Sequence, residues 1–208
     1  MTIEGGEGAG KSTQAALLVG ALGRAGIAAL ATREPGGSPG AEAIRRLLLE
    51  GEAERWDPLG EALLFAAARR DHVVRTILPA LAAGTWVVCD RFADSTLAYQ
   101  GDGKGLDRAV LVELQRLTLG GLAPDLTVIL DLPVEEGLRR AAARSGAADR
   151  FERLGRAFHR RLRDGFRRIA AAEPQRCVVV DAAADPETVH RAILAAVAAR
   201  LGVDLGAG

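Results

Sequence analysis

The chain has 208 residues, of which 49% are hydrophobic and 4% aromatic, and its 27 basic and 27 acidic side chains give a net charge of zero. This length suits one α/β domain, and the apolar content is enough to bury a core. A neutral chain does not favour a nucleic-acid polymer as a partner, although a few local arginines could hold a small anion. No apolar run resembles a signal peptide or a membrane span, so we expect a cytoplasmic protein.

Strand and helix patterns alternate along the chain. Continuous apolar runs between helices predict an α/β fold with a five-stranded parallel sheet and helices on both faces. Pro79 should end or kink the helix that contains it. The first strand has only four residues before a glycine-rich loop, which is short for a central strand. The predicted strands are 1–4, 27–32, 85–90, 126–132 and 176–182, and the predicted helices are 11–26, 40–50, 58–84, 107–120, 134–144, 151–173 and 185–202.

The stretch GGEGAGKS at residues 5–12 lies between the first strand and the first helix. It fits the pattern G-x-x-x-x-G-K-[ST], whose glycines let successive backbone N–H groups surround a phosphate. Lys11 supplies a point charge for the outer phosphates, and Ser12 offers a hydroxyl to Mg²⁺. We therefore expect ATP and Mg²⁺ as ligands. The residues predicted to bind ATP are Gly5, Gly6, Glu7, Gly8, Ala9, Gly10, Lys11, Ser12 and Thr13.

Two other classes of nucleotide-binding protein fit the sequence poorly. A GTPase needs an Asn-Lys-x-Asp motif for guanine, and this chain contains no asparagine. A transporter-type ATPase needs an LSGGQ-like stretch, which is also missing. The size of the chain fits a kinase that acts on a nucleotide or nucleoside.

A second group of polar residues lies in CDRFADSTLAYQG, at residues 89–101. Asp90 ends a buried strand, where a carboxylate can reach Mg²⁺ or its water ligands. Arg91 follows directly and can hold an anionic acceptor through two hydrogen bonds. Thr96, Tyr99 and Gln100 add hydroxyls and an amide of the kind that recognise sugars and base edges. The segment is therefore a candidate acceptor site.

Five stretches together resemble the thymidylate kinase family: TIEGGEGAGKSTQ, TREPGGSPGAEAIR, LLFAAARRDHV, DRFADSTLAYQG and ARSGAADRFE. They follow one another in the family's order and cover nearly the whole chain. The resemblance implies a P-loop nucleoside monophosphate kinase fold and transfer of phosphate from ATP to dTMP, giving ADP and dTDP. It also implies a homodimer.

The resemblance further implies a role for each matching residue. Phe65 would stack on thymine, Arg69 would donate to a thymine carbonyl, and Arg91 would bind the dTMP phosphate. Phe65 and Arg69 are four residues apart on one predicted helix, so their side chains can face the same ligand. The predicted substrate-binding residues are Glu34, Pro35, Arg45, Phe65, Arg69, Arg91, Thr96, Tyr99 and Gln100, and the predicted metal-binding residues are Ser12, Asp90 and Glu7.

An arginine-rich stretch around SGAAD predicts a short mobile lid at about residues 143–154 of a single domain, 1–208. Some members of the family carry an arginine within the glycine loop, where this chain has Glu7. The other form of the family supplies the catalytic arginine from the lid, so we expect Arg144 and Arg150 to act in catalysis. Lys11, Arg91 and Asp90 complete the predicted catalytic set. Glu7 could bind Mg²⁺, orient the acceptor or lie at the rim of the loop.

The sequence leaves several points open. Ala68, Lys104 and Phe166 depart from residues that are common in the family, and altered affinity is expected rather than lost activity. A kinase for another deoxynucleotide or a deoxynucleoside, and a nucleotide-binding module without turnover, are the alternatives. The apolar residues Leu106, Val110, Leu111, Leu114 and Leu117 could form a dimer face or part of the core.

Overall fold

The computed structural model describes residues 1–52, 54–143 and 150–206 of the chain. Five strands in these residues form one sheet, and every pair of neighbouring strands is parallel. This confirms the predicted five-stranded parallel sheet, and the strand order is β2-β3-β1-β4-β5. The strands are β1 (Thr2–Gly5), β2 (Ala29–Arg33), β3 (Trp86–Asp90), β4 (Thr127–Asp131) and β5 (Cys177–Asp181).

Helices follow the strands throughout the described residues, and none of them combines the length and hydropathy needed to cross a membrane. Two π-helical turns, Val73–Ile77 and Leu97–Gly103, widen the helical path. The α-helices are α1 (Lys11–Arg24), α2 (Pro39–Leu49), α3 (Pro58–His72), α4 (Leu78–Ala82), α5 (Ala93–Thr96), α6 (Arg108–Leu119), α7 (Val134–Ala142), α8 (Arg156–Ala172) and α9 (Pro186–Leu201).

Both faces of the sheet are apolar and covered by helices, as predicted. Successive side chains of a strand point to opposite faces. Along β4, Val128 packs in a core cluster with Leu22 of α1 and Ile193 of α9. The next residue, Ile129, packs in a different cluster with Leu162 of α8. The strands are therefore buried on both sides, which explains their continuous apolar sequences.

The short strand β1 lies at the centre of the sheet, between β3 and β4. The chain leaves β1 towards β2 on one side and later crosses from β3 to β4 on the other. Ligands of parallel sheets bind beyond the carboxyl ends of the strands at such a reversal. Gly5 ends β1 and Asp90 ends β3, so the topology places the glycine loop and the predicted acceptor segment side by side.

Residues 58–84 do not form one helix that is kinked at Pro79. α3 ends at His72, and the π-helical turn follows before the proline. The N–H of Leu78 donates to the carbonyl of Val73, five residues earlier. Because Pro79 has no N–H, a locally widened turn lets the chain continue in a helical path without the bond that proline cannot make.

The predicted helix 151–173 begins later than expected, since α8 starts at Arg156. Residues 150–154 form turns instead. The backbone N–H of Arg150 donates to the carbonyl of Leu49, 3.3 Å away, at the end of α2. The side chains of Arg150 and Phe151 are only 1% and 4% exposed. Burial of these two residues against α2 and α3 replaces a further helical turn.

The apolar residues considered for a dimer face divide between core and surface. Leu111 is completely buried, and Leu106 and Leu114 pack against the same core cluster. Val110 and Leu117 are 38% and 60% exposed. Three of the five residues therefore serve the core of this chain, and two are available on the surface of α6.

Candidate active site

A cavity of about 450 Å³ opens at the carboxyl edge of the sheet. It brings together side chains from the glycine loop, from α2 and α3, and from the segment that follows β3. Gly5, Gly6, Ala9 and Arg150 are predicted site residues that do not line it. The predicted residues that line it are Glu7, Gly8, Gly10, Lys11, Ser12, Thr13, Glu34, Pro35, Arg45, Phe65, Arg69, Asp90, Arg91, Thr96, Tyr99 and Gln100.

The glycine loop takes backbone conformations that other residues rarely adopt. Gly8 and Gly10 have φ angles of 67° and 88°. Gly5 has a φ of 137°, and a Cβ atom there would lie 2.5 Å from the carbonyl oxygen of Leu130 on β4. The loop therefore needs these glycines both for its path and for its close approach to the sheet. Gly10 then caps the N-terminus of α1, which points its dipole at the cavity.

The ammonium group of Lys11 lies at the base of the loop, where its Nζ donates to the carbonyl of Gly6 at 2.7 Å. Only 7% of Lys11 is exposed. Burial, together with the charge of Arg91, lowers the pKa of Lys11 to about 8. A buried cation beside a loop of backbone N–H groups is suited to receive a polyphosphate, whose charge would stabilise the protonated form.

Asp90 and Ser12 form the group that is best suited to Mg²⁺. The hydroxyl of Ser12 donates to Asp90 Oδ2. The other carboxylate oxygen, Oδ1, is buried and has no hydrogen-bond partner among the described residues. Mg²⁺ binds oxygen ligands and usually keeps several waters. A carboxylate oxygen left free beside a hydroxyl and a phosphate loop fits that requirement, so the residues present fit the predicted ion.

Arg91 links the loop to the acceptor side of the cavity. Its φ of 69° is in the left-handed region, which turns the chain sharply as β3 ends. The guanidinium donates to the carbonyl of Gly5 at 3.0 Å and to Glu7 Oε1 at 2.9 Å. Its central carbon also lies 4.9 Å from the centre of the Tyr99 ring. These contacts hold the guanidinium in place on the cavity wall.

Glu7 faces the acceptor side of the site in this structure. Its Oε1 accepts from Arg91 and, at 2.5 Å, from the hydroxyl of Tyr99. Burial alone would raise the pKa of Glu7, but the charges of Arg91 and Lys11 and the hydrogen bond from Tyr99 lower it to about 2. These partners favour the acceptor-orienting role among the three that the sequence left open, and a role in binding Mg²⁺ stays a prediction.

Glu4 is not among the predicted site residues, but its carboxylate binds the segment that follows the turn at Arg91. This completely buried residue of β1 accepts from the N–H of Phe92 at 2.7 Å and from the hydroxyl of Ser95 at 2.6 Å. Burial and the nearby carboxylate of Asp94 raise the pKa of Glu4 to about 8. The sequence signal that could have identified Glu4 is an acidic residue inside a short buried strand.

The wall opposite the loop carries the predicted base-binding residues. Phe65 and Arg69 of α3 both line the cavity, as their four-residue spacing predicted. Arg69 Nε donates to Glu34 at 2.7 Å, and Nη2 donates to the carbonyl of Phe92 and to Thr96 Oγ1. These bonds fix the guanidinium and leave Nη1 without a partner among the described residues. Arg69 can therefore still donate to a ligand.

The segment after β2 forms a second part of this wall. Glu34 is buried and accepts from Arg69 and from the ring of His72. Arg45 of α2 donates to the carbonyl of Pro35 at 2.6 Å. The REPGG stretch is thereby tied to α2 on one side and to α3 on the other, and its role in binding a substrate stays a prediction.

The predicted lid arginines have different outcomes. Arg144 lies outside the described residues. The Arg150 guanidinium donates to the carbonyl of Leu48 at 3.0 Å and to the carboxylate of Glu61. Arg150 is thus buried beside the cavity wall, not over the phosphate loop as the lid hypothesis expected, because a buried carboxylate faces it there. A catalytic role for either residue stays a prediction.

Several residues that line the cavity are not among the predicted site residues, although Arg140 belongs to the arginine-rich stretch that predicted the lid. Arg33 of β2 and Arg140 of α7 add positive charge, and Phe151 adds an aromatic ring. The Phe151 ring packs edge-on against Tyr99, with 5.6 Å between the ring centres. Phe151 lies within the predicted lid segment, and only the turn at residues 150–154 brings it into the cavity.

Comparison with known proteins identifies the family to which this chain belongs. A model of the thymidylate kinase family matches residues 3–193. The thymidylate kinase of Caulobacter vibrioides is 57% identical over 203 residues, which cover 98% of this chain and 97% of that protein. The thymidylate kinase of Nitrobacter winogradskyi is 58% identical over 198 residues, covering 94% and 86%.

The fold has a matching solved structure. The crystal structure of thymidylate kinase from Ehrlichia chaffeensis superimposes with a TM-score of 0.75 at 36% sequence identity, covering 94% of this chain and 96% of that chain. The family model, the relatives and the solved structure all match this chain over nearly its whole length. The chain belongs to the thymidylate kinase family, and its fold is that of the P-loop nucleoside monophosphate kinases.

Proposed function

We propose that this chain transfers the γ-phosphate of ATP to the phosphate of dTMP, giving ADP and dTDP. One observation carries the proposal. A single cavity holds the glycine loop with Lys11 on one side and, on the other, Arg91 together with Phe65 and Arg69. A phosphate donor and a nucleotide acceptor can therefore meet in one cavity, which is the first requirement for direct transfer.

The donor would lie at the loop between β1 and α1. Backbone N–H groups of the loop and the N-terminus of α1 would surround its phosphates. Lys11 would add a positive charge there, and its low pKa supports a site that is completed by an anion. Arg140, which lines the same cavity, adds positive charge from α7.

The acceptor would lie against the opposite wall. Thymine has apolar faces and acceptor carbonyls, so a ring such as Phe65 and a donor such as Arg69 suit it. Arg91 would hold the acceptor phosphate, since a guanidinium can donate two hydrogen bonds to it. Tyr99, held by its bond to Glu7, would pack against the deoxyribose, where a ribose 2′-hydroxyl would be crowded.

Ser12 and Asp90 would hold Mg²⁺, directly or through water. The ion would supply charge neutralisation for the donor phosphates. The free Oδ1 of Asp90 and the hydroxyl of Ser12 are the oxygen atoms that this role needs. Glu7 is less suited, because Arg91 and Tyr99 already occupy one of its oxygens.

The transfer needs no strong general base. The attacking oxygen belongs to a phosphate monoester, whose second pKa is about 6, so it is already anionic near neutral pH. The chain's task is to bring two polyanions into line and to stabilise charge in the transition state. Lys11 and Arg91 would do so from the described site. Arg144 would join them from a lid at about residues 143–154 of a single domain, and closure would exclude water.

We also propose that the enzyme acts as a homodimer in the cytoplasm, where ATP is supplied. Apolar side chains are exposed on two neighbouring helices, Leu59 and Leu63 of α3 and Val110, Val112 and Leu117 of α6. Pairing of two copies would cover them. Light scattering after size exclusion should give twice the chain mass, and a monomer at micromolar concentration would contradict this part of the proposal.

The acceptor is tested by a coupled assay of ADP release with dTMP, dUMP, dCMP and AMP. We expect kcat/KM to be highest for dTMP. A preference for another monophosphate would favour the alternative deoxynucleotide kinase, and no release with any acceptor would favour a binding module without turnover. Arg69→Met should reduce kcat/KM for dTMP, because the donor to a thymine carbonyl is removed.

A further inference from the structure

Glu61 of α3 is a completely buried acidic residue with three polar partners, although it does not itself line the cavity. Its Oε1 accepts from Gln100 Nε2 at 2.8 Å. Its Oε2 accepts from Lys104 Nζ at 2.8 Å and from Arg150. A carboxylate at the centre of such a group can only accept hydrogen bonds, so it determines the direction in which each partner points.

The partner that matters for recognition is Gln100, which lines the cavity beside Arg69 and Thr96. A glutamine amide has one donating and one accepting end. The donating end of Gln100 is committed to Glu61. Its accepting end, Oε1, makes no hydrogen bond within the described residues. The oxygen is therefore the end of this amide that remains for a ligand.

The two cations fix the carboxylate itself. Lys104 and Arg150 both bind Oε2, which leaves Oε1 to Gln100. Both cations also lie over the ring of Phe151, with 5.4 Å from Lys104 Nζ and 5.0 Å from the Arg150 guanidinium carbon to its centre. The buried charge of Glu61 is thereby paired, and its orientation is held by two cations that do not themselves line the cavity.

We propose that Glu61 is a positioning residue that holds the Gln100 amide with its oxygen towards the acceptor base. The inference rests on the proposed function, because it concerns the base of a dTMP acceptor. Thymine carries an N3–H donor, which an amide oxygen can accept. Cytosine carries an unprotonated N3, which an amide oxygen would repel. Glu61 thus selects a base with N3–H without touching it.

The substitution Glu61→Gln tests this directly, since it keeps the size of the side chain. Lys104 and Arg150 would attract the oxygen of the new amide, which would turn its NH₂ group towards Gln100. Gln100 would then have to turn its own oxygen to that NH₂ group and present its donor to the cavity. We expect the ratio of kcat/KM for dTMP to that for dCMP to fall at least about tenfold, as expected when a buried pair is mismatched.

Lys104→Met provides the matched control. It removes one cation from the same cluster but keeps the bonds from Glu61 to Gln100 and Arg150. The dTMP to dCMP ratio should then stay within about twofold of the wild type. A role of Glu61 in stability alone would lower activity towards both nucleotides in parallel and would leave the ratio unchanged in every variant.

A second variant covers the case in which Glu61→Gln does not fold. Glu61→Met with Arg150→Met replaces the buried pair with apolar side chains of similar size, a change that folded proteins often tolerate. Gln100 would lose its fixed partner, so the ratio should again fall. An unchanged ratio in either folded variant would overturn the inference about Glu61 but would leave the proposed function standing. A wild type without turnover of dTMP would instead overturn the proposed function, and the inference with it.

Discussion

Glu7 joins the phosphate loop to the acceptor wall. Its carboxylate is held by Arg91 and Tyr99, and these interactions lower its pKa to about 2. A group whose pKa is lowered on folding stabilises the folded state when it is ionised. The stabilisation is complete above its ordinary pKa of 4.5 and is lost as the pH falls towards 2.

The first prediction follows from this shift. Wild type should exceed Glu7→Gln in free energy of unfolding by an amount that is constant above about pH 5 and decreases between about pH 5 and pH 2. The full shift in the pKa of Glu7, from 4.5 to about 2, corresponds to about 3 kcal/mol of unfolding free energy. Urea unfolding of both proteins across this range measures the difference. A difference that does not change with pH would show that the charge of Glu7 is not what Arg91 and Tyr99 stabilise.

Residue-level prediction from the sequence worked where the partners are close in the chain. Phe65 and Arg69 share one helix, so their spacing was enough to place both on the cavity wall. Glu61 could not be found this way, because its partners Gln100, Lys104 and Arg150 lie 39, 43 and 89 residues away. Lys104, noted only as a departure from the family, proved to be part of that buried cluster.

At the scale of elements, α7 and the glycine loop touch through two glycines. A Cβ atom on Gly137 of α7 would lie 2.5 Å from the carbonyl oxygen of Glu7, and one on Gly8 would clash with the carbonyl of Gly137. No side chain separates the two backbones there. The helix that leads into the predicted lid is therefore packed directly on the phosphate loop.

The second prediction uses this contact. Gly137→Ala should lower the free energy of unfolding by about 1–3 kcal/mol through overpacking and should raise the KM for ATP, since the loop must shift. Gly23→Ala in α1 is the control, because no atom lies within 4 Å of the added Cβ. There alanine should stabilise by about 0.5–1 kcal/mol. If both variants were stabilised alike, the close contact would be refuted.

The third prediction distinguishes the two arginines that the sequence assigned to a lid. Arg150→Ala removes a cation that pairs with buried Glu61, so its melting temperature should fall clearly. Arg144→Ala should melt like the wild type but lose at least about a hundredfold in kcat, with little change in dTMP affinity. Thermal melts of both variants test the difference in stability, and steady-state kinetics of both test the difference in kcat. Equal losses of kcat and dTMP affinity in Arg144→Ala would argue against a role in the transition state.

Element boundaries show where local sequence signals were insufficient. The strands and their order of appearance followed from apolar runs between helices. The π-helical turn before Pro79 and the turns at residues 150–154 did not, because each depends on contacts made elsewhere in the fold. Arg150 is the clearest case, since a buried acidic partner on α3 holds it at the end of α2.

At the scale of the whole molecule, the reversal of strand order at β1 explains why donor and acceptor residues meet. The loop after β1 carries Lys11, and the turn after β3 carries Arg91, and the two strands are neighbours. The family could be predicted from the sequence because five matching stretches keep their order along the chain. Their convergence on one cavity required the fold, since the stretches span residues 2–152.

The central claim is that this cavity transfers one phosphate from ATP to dTMP. Phosphorus NMR of a reaction that contains ATP, dTMP, Mg²⁺ and the purified protein follows every phosphate at once. We expect ADP and dTDP to appear in equal amounts, without inorganic phosphate. Release of inorganic phosphate without dTDP, or no consumption of ATP, would contradict the claim.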